Sequence, residues 1–176
     1  SSVISIRARA RAYWGSGVLK CRADPIAAQG LLKQGLLLFQ EIGDQAGAAR
    51  CLLTHGATNL LTGDPDKGRC EIAQSLVRSQ ACGDVLGVVW CYDLLGIADF
   101  VLGLYDKAST HLLESVTQFE DLDAPVGACH ALVDLGLTLR IEGRLSAALD
   151  AYRRALRYQR EYRFTTESPD TLDGLA

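Results

Sequence analysis

Cys51 and His55 stand one helical turn apart in "CLLTHGATNLL", a spacing at which a thiolate and an imidazole could share a metal ion or pair as nucleophile and base. Neither chemistry finds its third group. The chain has no C-x-x-C, no H-E-x-x-H, no G-x-S-x-G elbow and no G-x-x-x-x-G-K-[ST] phosphate loop. A core thiol and a core imidazole are the competing reading of the pair, and the absence of any motif predicts a chain without catalytic residues, metal or cofactor. A second set is better suited to binding. In "WCYDLLGIADF", Trp90, Asp93, Ile97 and Phe100 recur at three- and four-residue spacing, which places them on one face of a helix as an apolar stripe with one carboxylate. Tryptophan and arginine are the residue types that anchor interfaces.

The elements that must carry these residues follow from laying the chain against itself. "LLTHGATNLLTGDP" (52–65), "YDLLGIADFVLGLY" (92–105) and "LVDLGLTLRIEGRL" (132–145) superpose without gaps at a spacing of 40. Glycines mark the register: Gly47, Gly87 and Gly127 share one slot, Gly56, Gly96 and Gly136 a second, and Gly63, Gly103 and Gly143 a third. Glycine inside a helix is about 1 kcal/mol worse than alanine, so the recurrence demands a structural reason. Gly63, Gly103 and Gly143 follow the last apolar residue of a helical pattern and read as left-handed terminators. Pro25 and Pro65 open the following helix, where a missing N–H is harmless. Gly56, Gly96 and Gly136 fall mid-helix, opposite Gly68, Ala108 and Ala148, and predict two helices in near backbone contact. Each period therefore holds a helix pair.

The period organises the whole chain as one domain of 1–176, with repeats at 8–47, 48–87, 88–127 and 128–167 and a truncated fifth at 168–176. Upstream, the same register puts Ser16 in the slot of Gly56 and Asp24-Pro25 in that of Asp64-Pro65; downstream, Leu172, Leu175 and Ala176 take the slots of Leu132, Leu135 and Gly136. With Gly15 and Gly17 beside Ser16, the first helix is expected to be irregular. The lack of any methionine and the cut fifth repeat predict a piece of a longer protein. The repeat also supplies sister slots for the stripe: Arg50, Leu53, Ala57 and Leu60 in one repeat, His130, Val133, Leu137 and Arg140 in another. Whether this stripe meets a ligand or is ordinary core under tight packing stays open from the residues alone.

The best-formed unit, "YDLLGIADFVLGLYDKA", resembles the tetratricopeptide repeat, with a period of 40 where the usual one is about 34. The longer form, with "FQEIGDQAGAARCLLTHGATNLLTGD", is similar to the helical sensor region of large ATP-binding bacterial regulators of the LuxR and antibiotic-regulatory types. The resemblance implies an all-α fold, a right-handed α-solenoid of helix pairs. It implies a regulatory interaction domain whose concave groove takes a protein segment or docks the regulator's own domains, with a small effector as the alternative. ATP and DNA binding would then belong elsewhere in the longer chain.

Charge and composition limit the partners. The formal net charge is −3, and the third repeat holds one basic residue against seven acidic ones. Arg153, Arg157 and Arg160 follow i, i+4, i+7 with Arg154 beside them, a solvated outer face in preference to a nucleic-acid patch, given the net negative charge of the chain. Docking of this basic end on the acidic middle, within the chain or in a homodimer, is a third option. No run is long and apolar enough for a membrane span, and the six cysteines form no paired pattern, so free thiols in the cytoplasm are expected.

Overall fold

The computed structural model describes residues 3–162, and these form eight α-helices with no strand among the described residues. They are α1 (Val3–Lys20), α2 (Pro25–Glu41), α3 (Gln45–Leu61), α4 (Pro65–Cys82), α5 (Val85–Val101), α6 (Tyr105–Asp121), α7 (Pro125–Ile141) and α8 (Leu145–Tyr162). From α2 onward, like helices begin at intervals of 40: Pro25, Pro65, Tyr105 and Leu145 for the second of each pair, Gln45, Val85 and Pro125 for the first. The fold is the all-α solenoid class of consecutive helix pairs. The proposed fifth repeat at 168–176 lies outside the described residues. No described helix is long and apolar enough to cross a membrane.

The chain divides into two compact units, residues 1–94 and 95–176, with the boundary inside α5. In the first unit, α1 pairs with α2 and α3 with α4. Its core includes Ala10, Phe39, Ala48 and Cys51, with Trp14, Leu36, Leu38 and Ile42 packed against them. In the second unit, Leu112, Val116 and Phe119 of α6, Leu132 of α7 and Tyr152 of α8 are fully enclosed. Helix ends are built alike in both. Gly43, Gly63, Gly83, Gly103 and Gly143 all have φ between 68° and 84°, and Asp123 takes φ 49° in the turn after α6. After each left-handed residue the next N–H returns to a carbonyl five residues back, as in Asp64 N to Asn59 O at 2.9 Å and Arg144 N to Leu139 O at 2.9 Å, closing the exposed end of the helix. Helix starts differ. Asp24, Asp44, Asp64 and Asp84 accept from the N–H groups of Ala27, Gly47, Lys67 and Gly87, whereas Leu104 and Ala124 cap α6 and α7 with no side-chain bond.

The mid-helix glycines sit where the sequence argument put them. A Cβ on Gly56 would lie 2.8 Å from the Gly68 carbonyl oxygen and 2.7 Å from Ile72 Cγ1, and one on Gly68 would lie 2.8 Å from the Gly56 oxygen. The two backbones touch, and neither has room for a methyl group. Gly96 stands 3.3 Å, by the same measure, from Ala108 O and 2.5 Å from Leu112. At Gly136 the nearest atoms are those of the Tyr152 ring, 2.7 Å from an added Cβ. The slot of Gly47 and Gly127 has its own purpose, since each lies under a phenylalanine ring, Phe39 or Phe119.

The first repeat corrects the expected register. Helix α1 runs without a break through Gly15, Ser16 and Gly17, so the expected irregularity is absent. Leu32, in the slot of Ile72, Leu112 and Tyr152, lies 2.6 Å from a Cβ placed on Gly17, while Ser16 is exposed. Gly17, not Ser16, therefore does the work of Gly56. Helix α1 ends three residues past Gly17 where α3 runs five past Gly56, and the longer turn makes up only one of the two, so the whole helix is shifted by one position.

Two measurements test this packing. Gly56→Ala should lower stability by roughly 1–3 kcal/mol despite the better helix propensity of alanine, because neither Ile72 nor the Gly68 backbone can retreat far. Gly30→Ala, on exposed α2 with nothing within 4 Å of the new methyl group, should instead raise it by about 0.5–1 kcal/mol. Urea unfolding of the pair would decide, and stabilisation by both would sink the close-approach account. All six cysteines are free; Cys70 and Cys82 are exposed and Cys51, Cys91 and Cys129 buried, burial pushing these last thiols up to about 12, 11 and 11. Native protein should thus be labelled quickly at Cys70 and Cys82, and at all six only in denaturant. Because the folded thiols ionise above the ordinary value of 9.0, their contribution is complete below pH 9 and declines as pH rises toward 11. A fold whose midpoint did not fall over that window would contradict the burial.

Candidate functional site

A cleft lies in the first unit, on the first helices of successive pairs. Trp14 comes from α1, Arg50, Leu53 and Thr54 from α3, and Asp84, Leu86, Gly87 and Trp90 from the start of α5; together they enclose about 300 Å³. Both indoles are half-buried and Arg50 is exposed. The polar groups among them are linked in sequence. Trp14 Nε1 donates to Thr54 Oγ1 at 3.3 Å, and the same hydroxyl donates to the Arg50 carbonyl at 3.0 Å, a back-bond within α3. Arg50 Nε meets Asp84 Oδ2 at 3.2 Å, and Asp84 Oδ1 accepts the Gly87 N–H at 3.1 Å, so one carboxylate caps α5 and holds the guanidinium. An apolar wall and a positioned cation at its edge are the elements of a recognition site.

Of the stripe residues in this unit, Arg50, Leu53 and Trp90 thus share one cleft. Asp93 does not join them: its side chain is fully buried on the packed side of α5, beside Val89 and Gly96, and offers no surface to a ligand. In the second unit the stripe residues are placed differently. Ile97 is half-buried, and Phe100 sets its ring edge against Tyr105 at 5.6 Å. His130 Nδ1 lies 3.4 Å from Asp134 one turn along α7, and Arg140 is exposed in the last turn of that helix. Trp14 was invisible to the periodic argument for the reason found above. A register set on Gly17 would have aligned Trp14 with Leu53 and revealed it.

The buried polar residues form a different arrangement. His55 Nδ1 lies 2.6 Å from Glu71 Oε2, and Asn59 Nδ2 donates to the same oxygen at 2.8 Å while its own Oδ1 accepts from Gln29 at 2.8 Å. These four residues join α2, α3 and α4. Cys51 belongs to the apolar core and makes no bond to His55, which separates the pair that suggested metal or nucleophile chemistry. In the second unit the equivalent slots carry the opposite polarity. Asp99 of α5, fully buried, meets His111 Nδ1 of α6 at 2.9 Å. Asp99 thus faces the partner helix α6. On α8, Arg153, Arg157 and Arg160 are exposed, and Arg154 bonds Glu120 together with the Tyr158 hydroxyl.

Comparison with known proteins gives the fold. No protein-family model matches the chain, and no curated protein does. Among solved structures it is similar to the apo form of RapI, with a TM-score of 0.79 and 16% identity over 88% of this chain and 57% of that one. It is similar to a Rap protein complexed with Competence and Sporulation Factor, at 0.78 and 15%, covering 93% of this chain and 45% of the other. A signal transduction ATPase with a tetratricopeptide repeat sensor, from Pyrococcus horikoshii, matches at 0.74 and 20%, over 94% of this chain and 26% of its own. The chain thus spans between a quarter and little more than half of these proteins. Its fold is that of the tetratricopeptide-like helical repeats.

Proposed function

We propose that this chain is a tetratricopeptide-type interaction domain belonging to a larger regulator, and that it takes a protein segment into the cleft of its first unit. The carrying observation is the cleft itself, in which two half-buried tryptophans and an exposed arginine converge from three helices. Residues of these types, partly desolvated before any partner arrives, are those that dominate binding energy when truncated. The neighbours support the reading by their kind: one is a Rap protein complexed with Competence and Sporulation Factor, another a signal transduction ATPase with a tetratricopeptide repeat sensor. Regulation follows from those two and not from any residue here. A second reading, in which a small effector occupies the site, is favoured by the volume of about 300 Å³, at the lower end of the range for small-molecule sites.

Selection from a displayed library of random peptides tests the first reading. Trp90→Ala and Trp14→Ala should each weaken the selected peptides by ~2 kcal/mol or more. Their unfolding midpoints should fall clearly less than that of Leu95→Ala, a buried position where truncation costs about 2–5 kcal/mol. Equal loss of stability at all three positions would make the tryptophans ordinary core. Thermal shift with a metabolite set would bring out the second reading, since a ligand bound to the native state alone raises the melting temperature.

A further inference from the structure

We infer that the Trp14–Trp90 cleft recognises an apolar group carrying a neighbouring carboxylate, with the apolar group between the indoles and the carboxylate on the free edge of Arg50. This rests on the reading of the cleft as a binding site and adds the chemistry of what binds. Arg50 has five N–H donors, of which the one on Nε is given to Asp84. The four on Nη1 and Nη2 have no partner among the described residues. Asp84, by contrast, is largely enclosed and has both oxygens occupied, one by Arg50 and one by the N–H of Gly87. What the cleft offers outward is therefore positive.

The alternatives fit less well. A cationic ligand would have to take Asp84 from Arg50 and from the helix it caps, leaving a guanidinium against tryptophan and leucine. A purely apolar ligand would cover the Nη hydrogens without satisfying them, at a desolvation cost. A carboxylate takes two of those hydrogens as parallel, charge-assisted bonds in the fork geometry that guanidinium presents. The existing ion pair does not oppose this, because a half-exposed pair is worth at most about 1 kcal/mol and Arg50 can turn without breaking the cap. The cleft volume of about 300 Å³ has room for an apolar side chain. Such a ligand can be an acidic residue following an apolar one in a peptide, or a free arylalkanoic acid.

The chain has two tryptophans and both line this cleft, so indole fluorescence and indole N–H resonances report on it alone. The probes are two matched pairs: 3-phenylpropionate against 3-phenylpropanamide, and a pentapeptide blocked at both ends with phenylalanine before aspartate against the same peptide with asparagine. The acid of at least one pair should bind about tenfold more tightly than its amide, the difference expected of a charge-assisted pair. Arg50→Gln should bring that ratio close to one while the indoles still respond, and Arg50→Lys should keep part of it. Preference for the peptide acid marks a protein segment as the source, and preference for the free acid a small effector. Equal binding of acid and amide in both pairs, a ratio that survives Arg50→Gln, or silent indoles at millimolar probe would overturn the inference. If library peptides are lost with Trp90→Ala yet ignore Arg50→Gln, the interaction reading stands and the carboxylate falls. If no selected peptide depends on either tryptophan, the interaction reading itself fails.

Discussion

The close approach of paired helices at Gly56 and Gly68 is the constraint from which the rest of the architecture follows. Once two backbones touch, with oxygens 2.8 Å from where a methyl group would sit, the crossing point of the pair is fixed. Large residues then have to be placed away from it. Ile72 and Leu112 lie over the glycine of the facing helix, and Phe39 and Phe119 over the glycine that opens the next first helix. Small and large positions thus alternate along each seam, which is the condition for interiors packed at crystal-like density. The propensity lost at each glycine is offset by dispersion contacts that a larger residue would prevent. The period of 40 is a packing repeat before it is a sequence repeat.

Much of this was legible in the sequence because glycine has few alternatives. Where φ must be positive or a Cβ has no room, the residue type reports the geometry, so the terminators at Gly63, Gly103 and Gly143 and the contact at Gly56 could be read directly. The turn before Pro125 shows the limit: Asp123 adopts the left-handed conformation that glycine holds in the sister turns, since a short polar side chain tolerates it. The first helix shows another. An α1 that ends two residues early, with only one of them made up in the turn, moves every position of the helix, and a register carried back from Pro25 picks out Ser16 where Gly17 does the work.

The candidate site was half legible, and for the same reason. Arg50 and Trp90 share a slot and a cleft, while Trp14 was lost with the register of α1. Asp93 misled in the opposite direction. Three- and four-residue spacing identifies a face of a helix but not what covers it, and on α5 the face containing Asp93 is packed. A first helix in a stacked array has neighbours on several sides, so periodicity alone divides its surface poorly. Caps follow the division more closely. Aspartate closes the starts of α2, α3, α4 and α5, and one of these, Asp84, serves also as the anchor of Arg50, joining the stability of a helix end to the shape of the cleft.

The buried polar pairs carry a consequence for how the chain counts its own units. Helices built on one pattern could exchange partners, and apolar seams do little to forbid it. His55 and Asn59 of α3 face Glu71 of α4, whereas Asp99 of α5 faces His111 of α6. The polarity of the seam reverses from one pair to the next. Were α3 to settle on α6, imidazole would meet imidazole; were α5 to settle on α4, Asp99 would be shut in with Glu71. Each error confines like groups away from water, where an unmatched charge is most expensive. The two inverted pairs give each seam a polar contact that the wrong pairing would not reproduce.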